Sequence, residues 1–186
     1  FLSYLKFFKN KNIKFLIIST KIKNIQKFKN IKFNLVNNTD NNKFNFEAFK
    51  IIKKFKPDKI ILFYTKKISR KIFNNYRTYN IHNSLLPNYK GLDSIRKSFR
   101  DKNKFICSSS HLVNEKFDSG KIINQIITPV KYRNIKFFKN TSFYHRIILL
   151  NSIITSKSNR TFSIINDGTM ISPGLEQKNI KYTFWK

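Results

Sequence analysis

The segment that most constrains the fold of this chain is the short run at residues 80–87, with the sequence NIHNSLLP. In a β-strand the side chains alternate between the two faces, so Asn80 and His82 would point to the same side. Pro87 and Gly91 then favour an irregular turn in place of further strand. The segment therefore predicts a strand that ends in an amide and an imidazole on one face.

A second polar segment, residues 115–120 with the sequence EKFDSG, follows the next apolar run and contains Asp118. If the strands before the two segments are parallel neighbours joined by a helix, both loops leave the sheet at the same edge, where open α/β folds bind ligands. Asn80, His82 and Asp118 would then face one crevice. Such a group is a candidate catalytic site that uses neither a metal nor a covalent nucleophile.

Length and composition favour one globular domain covering residues 1–186, since 40% of the residues are apolar. The single cysteine, Cys107, excludes an internal disulfide and argues against a cysteine metal site, so we expect a small core residue there. No uncharged apolar run is long enough to cross a bilayer and no secretory signal opens the chain, which predicts a cytoplasmic protein without a membrane partner. Because the chain starts at Phe1 inside an apolar pattern, we interpret it as a fragment.

The net charge of +29, from 38 basic and 9 acidic residues, has two explanations. One is a nucleic-acid partner, because such a charge attracts polyanions over long distances. The other is drift of an AT-rich coding sequence, which we favour because lysine, asparagine, isoleucine and phenylalanine are spread along the whole chain. A basic nucleic-acid-binding module stays the alternative from another class, and it would show steep salt dependence and tolerate Asp118→Asn.

Hydrophobic periodicity predicts alternating strands and helices. Strands are expected at residues 13–18, 31–36, 59–64, at a run ending in His82, and at 105–113, 121–130 and 161–165, the last as a closing strand; helices are expected at 1–10, between a Thr39 or Asp40 cap and Pro57, and at 69–75, 92–100 and 144–154. We expect Leu92 to face the core and His145 to lie on the surface. Short alternating elements predict an α/β fold with a mostly parallel sheet.

The polar residues resemble those of the formyltransferase family that uses 10-formyltetrahydrofolate. The resemblance rests on Asn80-x-His82, the SLLP turn, Gly91, the SHLV run at residues 110–113 and Asp118-x-Gly120, in family order and spacing. It covers residues 58–128 and implies a Rossmann-like fold with helices on both faces of the sheet. It also implies formyl transfer from 10-formyltetrahydrofolate to a small-molecule primary amine, without a metal.

The resemblance assigns roles to three catalytic residues. Asn80 would donate a hydrogen bond to the oxyanion of the tetrahedral intermediate, and His82 would add charge or move a proton to the leaving nitrogen. Asp118 would raise the pKa of His82 and accept the proton that the amine loses. The alternative is that Asn80 and His82 only end a strand and that Asp118 only makes a turn. The match of these residues to the order and spacing found in the family would then be a coincidence.

The resemblance also predicts the donor pocket. Its lining would include Thr65, Lys66, Lys67, Ile68, Asn80, Val113 and Phe117, although two lysines stand where the family usually has apolar residues. His111 occupies a matching family position, and we interpret it as structural and not catalytic.

The acceptor is the least determined part of this interpretation. The YKGL run at residues 89–92 resembles glycinamide ribonucleotide formyltransferase of purine biosynthesis, which predicts a phosphorylated amine. Asn83 resembles the sugar N-formyltransferases, which act on nucleotide-linked amino sugars. Family members open with a strand and a glycine-rich phosphate loop, yet no glycine precedes Asn12. We interpret this as a missing first strand and loop, or as a substrate held in another way.

Overall fold

A seven-stranded sheet forms the centre of the fold, in a computed structural model that describes residues 12–20, 30–36, 40–131, 133–156 and 160–166. The strands are β1 (Lys14–Ser19), β2 (Ile31–Leu35), β3 (Lys59–Phe63), β4 (Thr78–His82), β5 (Phe105–Leu112), β6 (Ile122–Pro129) and β7 (Thr161–Asn166). The helices of these residues are α1 (Asn41–Phe55), α2 (Arg70–Phe73), α3 (Ser94–Arg100) and α4 (Ile135–Thr155). The predicted helix at 1–10 and the tail at 168–186 lie outside the described residues.

The strand order across the sheet is β2-β1-β7-β3-β4-β5-β6. The neighbours from β2 to β4 are parallel, while β5 pairs antiparallel with both β4 and β6. This confirms the predicted mostly parallel α/β sheet. The strand predicted at residues 161–165 is β7, which does not close an edge but lies between β1 and β3.

Apolar side chains cover both faces of the sheet, which explains why all five residues of β3 are buried. On one face Phe15, Ile17 and Ile61 pack with Leu149 and Leu150 of α4. The other face carries a second cluster, in which side chains of β1 and β3 pack with α1 and α2; its members include Leu16, Ile18, Ile60, Leu62, Phe44, Ala48, Ile52 and Ile72. Helices therefore lie on both faces, as the sequence predicted.

The helix ends follow the predicted capping residues. The Asp40 side chain accepts hydrogen bonds from the backbone N–H groups of Asn42 and Lys43, so Asp40 is the N-cap of α1. That helix ends at Phe55, where Lys56 adopts a left-handed conformation with φ 50° directly before Pro57. None of the helices in the described ranges is long and apolar enough to cross a bilayer.

Three predictions on α3 and α4 were wrong. Leu92 precedes α3 and is 67% exposed, while Ser94 and Ser98 are the buried residues of that helix. Helix α4 begins at Ile135, well before residue 144, and packs on β5 and β6 as well as on the central strands. His145 is therefore only 3% exposed, and its Nε2 lies 2.8 Å from Oγ1 of Thr128 on β6.

Candidate active site

The pairing of β4 with β5 brings the predicted site residues together. The expectation of parallel neighbours was wrong, because α3 returns the chain so that β5 runs antiparallel to β4, with Asn80 opposite His111. The loop after β5 then folds back tightly: a Cβ added to Gly120 would lie 1.7 Å from the Leu112 carbonyl oxygen. Because of this close approach, the loop that contains Asp118 folds back against β4. The predicted arrangement, in which two parallel strands end at the same edge of the sheet, is not what brings Asp118 there.

Asp118 is the centre of the site, and both of its carboxylate oxygens have partners. Oδ1 accepts a hydrogen bond from Asn80 Nδ2 at 3.1 Å and lies 3.3 Å from His111 Nε2. Oδ2 accepts the backbone N–H of Gly91 at 2.8 Å and lies 3.4 Å from His82 Nδ1. The structure thus joins Asn80, His82 and Asp118, and it adds His111, which sequence reasoning had placed outside the chemistry.

The surroundings of Asp118 keep it ionised. Burial by itself would raise its pKa, but the hydrogen bond of His111, the charges of the two histidines and the Gly91 N–H bring the pKa down to about 2. The carboxylate therefore carries its negative charge throughout the neutral range. It is a fixed anion that can stabilise a proton carried by a neighbouring imidazole.

His82 lies between Asp118 and the turn that follows β4. Its Nε2 is 2.6 Å from the Tyr89 carbonyl oxygen, which only accepts, so Nε2 carries a hydrogen. Burial lowers the pKa of His82 and outweighs the opposing effect of Asp118, while His111 lowers it further. Asp118 does raise the pKa of His82, as expected, but burial has the larger effect, so the net pKa lies below its ordinary value. A neutral His82 leaves Nδ1 as the proton-accepting atom beside the carboxylate.

Asn80 donates its amide hydrogens within the site. Its Nδ2 donates to Asp118 and lies 3.2 Å from Nε2 of His111, whose Nδ1 is 2.8 Å from the Leu112 carbonyl oxygen. That carbonyl can only accept, so Nδ1 of His111 carries a hydrogen. Donation from Asn80 to an oxyanion stays a prediction.

A cleft of about 830 Å³ opens beside this cluster, at the carboxyl ends of β3 and β4. All the residues predicted for the donor pocket line it, namely Thr65, Lys66, Lys67, Ile68, Asn80, Val113 and Phe117. Ile68 is buried, whereas the Phe117 ring is 59% exposed at the rim. The structure therefore brings the predicted catalytic and donor-pocket residues to one cavity.

Two asparagines of α1 hold the predicted donor-pocket loop, and sequence reasoning missed both. Asn41 and Asn45 donate from Nδ2 to the Lys67 carbonyl oxygen at 2.9 and 3.1 Å. Asn45 Oδ1 accepts the Ser69 backbone N–H at 2.8 Å. Their i, i+4 spacing places them on one face of the helix, and this spacing could have been seen in the sequence.

Ser109 of β5 anchors the turn that follows His82. Its hydroxyl donates to the Ser84 carbonyl oxygen at 2.8 Å and accepts from the Leu86 backbone N–H and from Gln125 Nε2. Ser109 has no exposed surface, so each of these bonds is shielded from water. This explains why serines occupy a strand that would otherwise be apolar.

The described residues contain no group of three or more side chains able to hold a metal ion. Cys107 is buried, as predicted, and burial raises the pKa of its thiol. The arrangement of an ionised Asp118, a proton-accepting His82 and an amide donor suits acyl transfer by general base catalysis.

Comparison with known proteins also indicates acyl-transfer chemistry. Residues 10–136 match the sequence pattern of a family described as formyl transferase. The formyltetrahydrofolate deformylase 2, mitochondrial, of Arabidopsis thaliana is 32% identical over 116 residues, covering 60% of this chain and 35% of that protein. The methionyl-tRNA formyltransferase of Thermosipho melanesiensis is 35% identical over 81 residues, covering 43% of this chain and 27% of that protein. The chain thus spans about a third or less of these relatives.

Among solved structures, the phosphoribosylglycinamide formyltransferase of Bacillus halodurans superposes with a TM-score of 0.66 at 19% identity. The match covers 84% of this chain and 90% of that one. At this identity the superposition establishes the shared Rossmann-like fold.

Proposed function

This chain belongs to the formyl transferase family, and from that premise we propose that it transfers a formyl group from 10-formyltetrahydrofolate to a primary amine. The observation that carries the proposal is the contact of Asp118 with both Asn80 and His82 in one cleft. Those three residues belong to the motifs in which this chain resembles the family.

The proposed reaction begins with attack of the neutral amine on the formyl carbon. A new C–N bond forms and the carbonyl oxygen becomes an oxyanion, which Asn80 stabilises by donating from Nδ2. The attacking nitrogen then carries a surplus proton, which passes to His82 Nδ1, where the Asp118 carboxylate 3.4 Å away stabilises the resulting imidazolium. Collapse of the intermediate breaks the bond to N10 of the folate, and N10 takes up the proton that His82 held, which returns His82 to its neutral form.

We propose glycinamide ribonucleotide as the acceptor. The support is the YKGL run, whose Tyr89 carbonyl orients His82 and whose Gly91 N–H binds Asp118. A nucleotide-linked amino sugar is the rival acceptor, and Asn83, on which that alternative rested, also lines the cleft.

The Arabidopsis relative supports a second candidate function, because its name describes a deformylase. In that reaction water takes the place of the amine, and the same site releases formate and tetrahydrofolate. His82 and Asp118 would then activate the water, so this candidate uses the same three residues with a different nucleophile.

The test measures tetrahydrofolate formation from 10-formyltetrahydrofolate by the protein that contains this sequence. Parallel reactions contain no amine, glycinamide ribonucleotide, or a nucleotide-linked amino sugar. Turnover that requires glycinamide ribonucleotide supports the main proposal, and turnover without any amine supports the deformylase. A folded protein that is inactive in every reaction would overturn the enzymatic proposal.

A further inference from the structure

Arg146 of α4 is a buried cation on the wall of the cleft. Its side chain lines the cavity, although the residue is only 7% exposed. Burial lowers the pKa of the guanidinium to about 10, so it keeps its charge at neutral pH. Arginines are almost never buried this fully unless they have a partner.

No hydrogen-bond or ion-pair partner for this charge exists among the residues that the structure describes. Nε of Arg146 is buried without a hydrogen-bond acceptor, and none of the described carboxylates forms an ion pair with the guanidinium. The guanidinium carbon lies 5.8 Å from the centroid of the Phe143 ring, which is an aromatic and not an anionic neighbour. An unpaired buried charge lowers the stability of a fold, so its retention on a cavity wall points to a ligand.

Other polar groups of the same wall complete a recess around Arg146. Lys139 lies seven residues earlier on α4, hence on the same helix face, and also lines the cleft. The Oδ1 atom of Asn83 is buried and accepts no hydrogen bond from the described residues. Ser142, one turn before Arg146, donates to the Asn83 carbonyl oxygen at 3.4 Å, which joins this part of α4 to the turn after β4.

The recess lies on the side of the sheet opposite to the donor-pocket loop. Phe143, the neighbour of Arg146, belongs to the cluster on the α4 face. Ile68 and Val113 belong to the cluster on the α1 face. Both walls of the cleft carry cations, and Arg146 and Lys139 lie on the wall away from the predicted folate contacts, which include Lys66 and Lys67.

We propose that Arg146, together with Lys139, binds a phosphate group of the acceptor substrate. This inference rests on the proposed function, because it assigns one wall of that cleft to the acceptor. A guanidinium presents two parallel donors that match a phosphate, and a lysine ammonium adds a second positive charge. The acceptor would then be a phosphorylated amine, oriented by its phosphate so that its nitrogen reaches the formyl carbon.

The test measures binding of inorganic phosphate at constant ionic strength, through the NMR signal of the Arg146 Nε–H group. We expect phosphate to shift that signal in the unmodified protein. Arg146→Met removes the charge at similar volume, and Arg146→Lys keeps the charge but loses the planar fork. We expect phosphate binding, measured by calorimetry, to weaken at least tenfold in the first variant and severalfold in the second.

Lys136→Met is the matched control, since Lys136 is an exposed cation of the same helix outside the cleft. It removes one charge from the same strongly basic chain, so it reports non-specific attraction of phosphate. Binding within twofold of the unmodified protein in Arg146→Met, or equal weakening in Lys136→Met, would overturn the proposal. If Arg146→Met does not fold, Arg146→Lys and the Nε–H signal decide the same question.

Two further measurements identify the source of the anion. Phosphate binding that persists in the presence of saturating 5-formyltetrahydrofolate supports an acceptor site, whereas mutual exclusion would assign Arg146 to the folate carboxylates and overturn the proposal. Asp118→Asn should bind phosphate like the unmodified protein. The two hypotheses can therefore fail separately. If phosphate binds at Arg146 but the unmodified protein shows no turnover in any acceptor assay, only the proposed reaction is contradicted.

Discussion

The amide nitrogen of Asn80 donates to a carboxylate oxygen of Asp118 at 3.1 Å, across a separation of 38 residues. This bond joins the middle of β4 to the loop between β5 and β6. Because both groups are largely shielded from water, the bond orients the carboxylate that also faces His82. The candidate chemistry therefore depends on how exactly one loop is placed against one strand.

Asp118→Asn should abolish most of the activity while the protein stays folded. An amide cannot stabilise the imidazolium of His82, so we expect turnover to fall about 10²- to 10⁴-fold, the usual contribution of a general acid–base group. Steady-state kinetics and a thermal melt measure the two effects. Glu47→Gln is the control, since it removes one half-exposed carboxylate from α1 outside the cleft. More than a tenth of the original turnover in Asp118→Asn would contradict the assigned role.

Activity should fall in acid as His82 becomes protonated. Burial lowers the pKa of His82 below its ordinary value of 6.5, so the proton-accepting form persists at mildly acidic pH. We expect the acidic limb of the rate profile to have an apparent pKa below 6.5. An acidic limb centred above that value would show that Asp118, and not burial, dominates the pKa of this imidazole.

The free energy of unfolding should decrease as the pH falls below about 6.5, the ordinary histidine pKa. Burial lowers the pKa of both His82 and His145, so the unfolded chain binds protons that the folded protein does not. Each histidine contributes a slope of at most about 1.4 kcal/mol per pH unit between its folded pKa and 6.5. Denaturant titrations at several pH values measure the slope, and His145→Gln should reduce it. An unchanged slope in that variant would contradict the assignment.

Gly120→Ala should be more harmful than Gly91→Ala. The added Cβ at Gly120 would overlap the Leu112 carbonyl, so the Asp118 loop must move, at a cost of roughly 2 kcal/mol or more, with loss of turnover. Gly91 has open space but φ +77°, so alanine there costs about 1–2 kcal/mol of backbone strain. Denaturant titration and kinetics compare the two variants. Equal activity in both would contradict the importance of the close approach at Gly120.

Ser109→Ala should destabilise the fold by about 1–3 kcal/mol, because it leaves the Leu86 N–H without its recorded buried acceptor. Ser108→Ala is the matched control in the same strand. Its hydroxyl has one recorded partner, Ser142 Oγ at 3.1 Å, so we expect a smaller effect. The free energies of unfolding of both variants measure the difference. A larger loss in Ser108→Ala would contradict the anchoring role of Ser109.

Several features of the fold were predictable from local patterns. The continuous apolar run of β3 indicated a strand covered on both faces, and Asp40 and Pro57 marked the limits of α1. These signals depend on neighbours close in the chain, so no tertiary information was needed. The start of α4 was missed because its first turns mix lysine, asparagine and phenylalanine, and the buried Phe138 packs against Phe99 of α3.

The residues of the candidate site were predictable, but their relationships were not. The order and spacing of Asn80, His82 and Asp118 singled them out, and the resemblance to the family supplied the donor-pocket residues. The antiparallel return of β5 was not visible, because a connection of the same length can return a strand in either direction. His111 entered the site only through its register opposite Asn80.

The sequence by itself determined the element types, the mostly parallel sheet and the identity of the three polar residues, since these follow from periodicity and spacing along the chain. The tertiary structure alone decided the protonation of His82 and the burial of Arg146. Both depend on how much water is excluded around a side chain, and that depends on segments far apart in sequence. A pKa or an unpaired charge is a property of packing, and no local pattern of residues encodes it.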